Sequence, residues 1–231
     1  DLRDFIKLGR LRLFFAVSAG NMDSMVNHYT ANKRLRSDDA YSPDGRAHMR
    51  PDYATITYCN ILKKLYPDVP IVIGGIEASL RRVTHYDYWS DKLMPSILVD
   101  SKADFLVYGM GEKPLRELIR QLREGKKIGE ITDIPQTSYI ATEIPEVENL
   151  QTIELVSHEE CLKDKKKYAS NFRYVEEESN RMQGARLVQK VGRKHIIINP
   201  MYPPWSPEEV DATYRLPFTR LPHPKYKGKT I

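Results

Sequence analysis

No stretch of ~18 consecutive apolar residues occurs in this chain of 231 residues, so no segment reads as a membrane span. Cysteine is scarce: Cys59 and Cys161 are the two present, and they lie far apart in no spaced group. That excludes a disulfide-stapled scaffold, a four-cysteine zinc site and an iron–sulfur cluster held by this segment itself. It also fits a reducing, cytoplasmic compartment. The start, Asp1-Leu2-Arg3-Asp4, lacks both a leader pattern and an initiator methionine. The expectation is a segment of a longer chain. No internal repeat is found.

What is present is ordinary globular composition, with 41% hydrophobic and 29% charged residues. The length suits one large domain, or one domain plus an appendage, and disorder throughout is excluded. Thirty-six basic residues against 31 acidic ones leave a net charge of +5, a mild bias toward anionic partners.

The first half alternates strand, glycine turn and helix. Residues 13–17 are apolar and end in Ser18-Ala19-Gly20-Asn21; residues 69–73 are apolar, β-branched and close on Gly74-Gly75; residues 105–108 repeat the pattern before Gly109. Ala54, Tyr58, Ile61, Leu62 and Leu65 share one helical face, as do Leu115, Leu118, Ile119 and Leu122 before Gly125. This predicts an α/β, Rossmann-like domain over residues 1–130, its parallel sheet covered by helices. Such sheets place their ligand crevice outside the carboxyl ends of the strands. Residues 131–231 read as an irregular α+β extension and linker. Within it, 143–158 are acidic and irregular, 159–180 have a weak helical period, and 185–199 look like a hairpin around Gly192. Ser206-Pro207-Glu208-Glu209 is a helix start with a capping serine. The basic, proline-rich tail reads as a solvated linker, because it lacks the clustered arginines and spaced aromatics of a base-stacking surface. Nucleic acid is therefore not expected as a partner.

Several motifs carry candidate chemistry. Gly109-Met110-Gly111-Glu112 opens a helix after a strand, but Pro114 replaces the third glycine of a dinucleotide fingerprint, and a plain tight turn is the simpler reading. Gly74-Gly75 with Glu77, Arg81 and Arg82 places fixed positive charge near the same rim. An ordinary surface helix with Glu77 and Arg81 paired is the competing reading. His85-Tyr86-Asp87-Tyr88-Trp89-Ser90-Asp91 packs rings and carboxylates densely enough to suit a ligand wall or interface. No metal site is expected there, since a third ligand is missing. Asn21, Asp23 and Ser24 are secondary candidates on the rim, with helix capping as the alternative for the last two.

The strings themselves resemble the YgiQ-type radical SAM proteins. The resemblance rests on residues 13–25, on Gly74 through Arg82, on His85 through Asp91, on Val99-Asp100-Ser101-Lys102-Ala103-Asp104, and on Leu216-Pro217-Phe218 with Leu221-Pro222-His223-Pro224-Lys225-Tyr226. It runs from Leu13 to Tyr226 and is looser over roughly residues 130–185. It implies an N-terminal domain similar to cobalamin-binding domains, lacking its first strand and helix here and leading toward a radical SAM barrel. In that barrel three cysteines would hold a 4Fe-4S cluster that binds S-adenosylmethionine. No such triplet occurs in this chain, so no catalytic residue and no cofactor is expected within it. The D-x-H-x-x-G string of histidine-ligated cobalamin is absent as well; a base-off mode stays open.

The resemblance places a cofactor-like crevice at Gly74, Gly75, Glu77, Gly109, Gly111 and Glu112. Arg81, Arg82, His85, Tyr86, Asp87 and Trp89 are the expected substrate-lining residues. The expected role is the accessory region of a radical SAM enzyme, partnered by the catalytic core of its own polypeptide. The alternative is a free-standing module for a nucleotide or phosphorylated metabolite.

Overall fold

A computed structural model describes residues 2–221 and 224. Pro222, His223, Lys225 and Tyr226 of the last resemblance string, with residues 227–231, lie outside the described residues. In chain order the elements are α1 (Leu2–Ile6), β1 (Phe15–Ser18), α2 (Ser24–His28), α3 (Ala54–Leu65), β2 (Ile71–Gly74) and α4 (Gly75–Leu80). Then follow β3 (His85–Asp87), β4 (Lys92–Met94), α5 (Ile97–Ser101), β5 (Phe105–Val107) and α6 (Glu112–Arg123). The remainder is β6 (Thr137–Ala141), β7 (Thr152–Leu155), α7 (His158–Lys163), α8 (Lys165–Ser179), β8 (Arg186–Val191), β9 (Lys194–Ile198) and α9 (Pro207–Tyr214).

The fold is α/β, as the alternation predicts. Seven of the described strands form one sheet in the order β1-β2-β5-β6-β9-β8-β7, and β3 pairs separately with β4. β1, β2 and β5 are parallel, with Phe15 opposite Ile71 and Val72 opposite Phe105. From β5 onward β6, β9 and β8 pair antiparallel, and β7 returns parallel to β8. The C-terminal α+β extension thus continues the same sheet.

Alternating side chains divide the core between two faces. Phe15, Val17, Ile71, Ile73 and Leu106 pack beneath α3 and α5 on one face. Val72, Phe105 and Val107 meet Leu118 of α6 on the other. Of the predicted apolar face of α3, Ala54 and Leu62 are buried and Leu65 at the helix end is exposed, and Gly125 ends α6 at φ +94°, a conformation that suits glycine.

Three local readings change. β7 lies within the stretch read as irregular: it is an edge strand with Glu154 exposed and Leu155 buried, so its polarity reflects position. The weak helix over 159–180 is two helices, divided where Asp164 caps α8 through the Lys166 amide. Residues 85–94, assigned to no element from the sequence, form a β-hairpin.

Candidate functional site

The chain leaves β1 through Ser18 and Gly20 and enters α2, whose cap is Asp23. One Asp23 oxygen accepts from the amides of Met25 (2.9 Å) and Val26 (3.2 Å), and the other pairs with Arg81. Beneath that pair, Glu77 of α4 accepts from the amides of Ser24 (2.8 Å) and Thr55 (2.9 Å), one on each oxygen. Ser24 Oγ in turn accepts from the Ala54 amide at 3.1 Å. The first turns of α2 and α3 are thereby tied to α4, and Arg81 is fixed at its end. The Glu77–Arg81 surface pair is not formed: Glu77 is only 2% exposed, and Arg81 turns its side chain to Asp23.

Arg81 and Asp23 form part of the wall of a cavity of about 570 Å³, completed by His85, Tyr86, Asp87 and Trp89. The hairpin of β3 and β4 supplies those four residues. Asp87 is buried and accepts from Tyr53 Oη (2.9 Å), from the Ser90 amide (2.9 Å) and from Ser90 Oγ. Burial works to raise its pKa, but the Ser90 and Tyr53 hydrogen bonds outweigh it and hold the carboxyl below its ordinary value. Burial pushes the His85 imidazole down to about 4, so the ring is neutral at physiological pH.

A loop following α2 closes the opposite side. Tyr29 stacks on Trp89 with centroids 3.9 Å apart, Tyr88 Oη donates to the Ala31 carbonyl, and Lys33 Nζ donates to the Trp89 carbonyl at 2.9 Å. The result is a largely aromatic chamber with a few charged groups, the usual composition of a small-molecule site.

A family model described as Radical SAM N-terminal matches residues 1–231. The chain belongs to the radical SAM N-terminal family. Similar proteins include a UPF0313 protein of Bacteroides thetaiotaomicron, 60% identical over 242 residues that take in 100% of this chain and 39% of that protein. A UPF0313 protein of Porphyromonas gingivalis is 58% identical, covering 100% of this chain and 37% of that protein. One of Methanocella arvoryzae is 48% identical over 98% of this chain and 38% of that protein. The chain therefore spans under two fifths of the length of these relatives. No solved structure matches it.

For a member of the radical SAM N-terminal family, the fit of an iron–sulfur cluster is decided by the cysteines. Cys59 is fully buried in the core under α3, where burial pushes its thiol up to about 12. Cys161 is fully buried on α7, where its Sγ accepts from Asn171 Nδ2 at 3.3 Å. Two buried thiols on separate elements do not fit a cluster. No group of three or more His, Cys, Asp or Glu side chains placed for a metal occurs among the described residues. No helix among them is long and apolar enough to cross a membrane.

The remaining sequence candidates divide. Gly74, Gly75, Gly109 and Gly111 are brought together with Ser18 around a second cavity of about 270 Å³ on the α6 face of the sheet. Gly75 adopts φ +82°, which favours glycine, and a Cβ there would sit 2.7 Å from Ser18 Oγ, so that hydroxyl would have to shift. No histidine lines that cavity, so a histidine-ligated cobalamin does not fit it. Glu112 is exposed in the first turn of α6, and Asn21 is exposed beyond β1. Glu77 and Ser24 are spent on the helix clamp. Arg82 points away from the aromatic chamber: it lies 4.9 Å over the Tyr108 ring and donates to the Ser79 carbonyl at 2.7 Å. Tyr29 and Arg36 line the chamber and were missed by sequence reasoning, because no spacing links the loop after α2 to residues 85–89.

Proposed function

We propose that this chain is the substrate-binding N-terminal region of a radical SAM enzyme. The 4Fe-4S cluster and S-adenosylmethionine would be held by the rest of the same polypeptide, in the cytoplasm. The observation that carries this reading is the aromatic chamber at the strand ends, where six residues singled out from sequence converge: Asp23, Arg81, His85, Tyr86, Asp87 and Trp89. When bound, S-adenosylmethionine would supply the radical chemistry. This chain's residues would bind and orient the substrate and exclude water around it.

The test uses the full-length protein with its cluster reconstituted. Small-molecule extract from the source cells is added, and 5′-deoxyadenosine formation is followed. The expected result is stimulation of the wild type by extract, and loss of that stimulation in His85→Ala/Trp89→Ala at unchanged cluster absorbance. Equal stimulation of both proteins would overturn the proposal.

A further inference from the structure

We infer that the chamber receives a planar heteroaromatic ring bearing an anionic group, with the ring against Tyr86, Tyr88 and Trp89 and the anion at Arg36. This rests on the substrate-binding reading above and adds the chemical class of the ligand.

The charges decide the anion. Asp23 is taken up by Arg81 and two helix amides, and Asp87 by Tyr53 and Ser90. Asp23 carries a donor on each oxygen, the three donors to Asp87 all fall on its Oδ2, and Arg81 is balanced by Asp23. Arg36 is the described lining cation without a carboxylate partner. Its Nε donates to the carbonyls of Val26 (3.3 Å) and Tyr29 (3.2 Å). Because the guanidinium is planar and rigid, anchoring at Nε fixes the plane and leaves the terminal nitrogens as a fork for a carboxylate or phosphate. The same loop carries Lys33 and Arg34 and no acidic residue between Tyr29 and Ser37. Lys33 Nζ stands 5.1 Å above the Tyr88 ring and 5.8 Å from that of Trp89, which adds positive potential at the mouth.

The walls decide the ring. Tyr86 and Tyr88 are 48% and 50% exposed although they line a cavity, so Tyr86, and the face of Tyr88 turned away from Lys33, offer ring surface to a partner. Flat ligands gain offset stacking on such faces in addition to area burial. His85 decides the ring's edge: its Nδ1 lies 3.2 Å from the Val83 carbonyl, which makes Nδ1 the protonated nitrogen of the neutral ring. Nε2 is then an acceptor, suited to a ring N–H or O–H. A volume of about 570 Å³ accommodates such a ring together with its substituent.

A nucleoside monophosphate and an aromatic carboxylic acid both carry this chemistry. The test is calorimetric titration of the full-length protein with guanosine 5′-monophosphate, guanosine, indole-3-acetate and inorganic phosphate. Expected is saturable binding of at least one ring-plus-anion probe, about tenfold or more tighter than guanosine or phosphate. Preference between the two anionic probes identifies the source. Arg36→Gln should remove that margin, and Tyr86→Ala, a half-exposed change that leaves the core intact, should weaken every aromatic probe. Failure of all four probes to bind, binding of neither anionic ring probe more tightly than guanosine and phosphate, or an Arg36→Gln protein with its margin intact would overturn the inference. If the extract-stimulated activity still depends on His85 and Trp89 in that case, the substrate-binding reading stands and only the ligand class fails.

Discussion

Trp89 lies nearly flat on Tyr29, with ring planes 27° apart, and this contact seals the loop after α2 onto the β3–β4 hairpin. Aromatic pairs of this kind contribute about 0.5–1.5 kcal/mol beyond their buried area. Trp89→Ala is therefore expected to release the loop without unfolding the sheet. Hydrogen exchange should rise over residues 29–36 and stay unchanged in β2 and β5. Equal protection of the loop in the variant would show that Lys33 and Tyr88 hold it unaided.

Glu77 is expected to behave as a structural carboxylate. Glu77→Ala leaves the buried amides of Ser24 and Thr55 without acceptors, at a cost of about 3 kcal/mol or more. Glu77→Gln keeps one acceptor oxygen and should lose less. Urea unfolding distinguishes these; a neutral or stabilising Glu77→Ala would instead mark a carboxylate held for a ligand.

Gly75 and Gly125 both have positive φ, but only Gly75 faces a neighbour within contact distance. Gly125→Ala should cost about 1 kcal/mol for its backbone conformation. Gly75→Ala should cost about 3 kcal/mol, since the strain is joined by a clash with Ser18. Adding Ser18→Ala should recover part of the difference, which denaturant midpoints would measure.

Acidification should weaken the fold through His85. The unfolded imidazole takes its proton near 6.5, while the folded one resists until about 4. Between those values the unfolded state binds more protons, so stability is full above about pH 6.5 and declines as pH falls toward 4. His85→Asn should flatten that slope relative to wild type. Melting temperatures of both proteins from pH 7 to pH 4.5 would reveal the difference; parallel curves would place the imidazole in an environment open to water.

Elements governed by local rules were legible in the sequence. The helical face of Ala54 and Leu62, the apolar runs of β2 and β5, the hairpin turning at Gly192 and the Ser206–Glu209 capping box all appear in the structure. Strand order past β5 was not legible, because β9 reaches its place between β6 and β8 by pairing that no local pattern encodes. The site divides similarly. Aromatic density marked residues 85–89, whereas Glu77 and Arg81 at helical spacing look the same whether they pair with each other or with groups from α2 and α3. Tyr29 and Arg36 acquire their roles only when the loop folds over the hairpin.

The sheet order also sets a timetable for synthesis. β6 can pair with β5 as soon as it emerges, but its other edge is satisfied only by β9, roughly 50 residues later. At typical translation rates of about 5–20 residues per second, that edge waits about 3–10 s on the ribosome. During that interval Ser138, Tyr139 and Ile140 present unpaired backbone to any extended segment nearby, the nascent β7 and β8 included. A slow stretch of translation placed before Lys194 would lengthen this exposure, and a fast one would protect the nascent chain from mispairing.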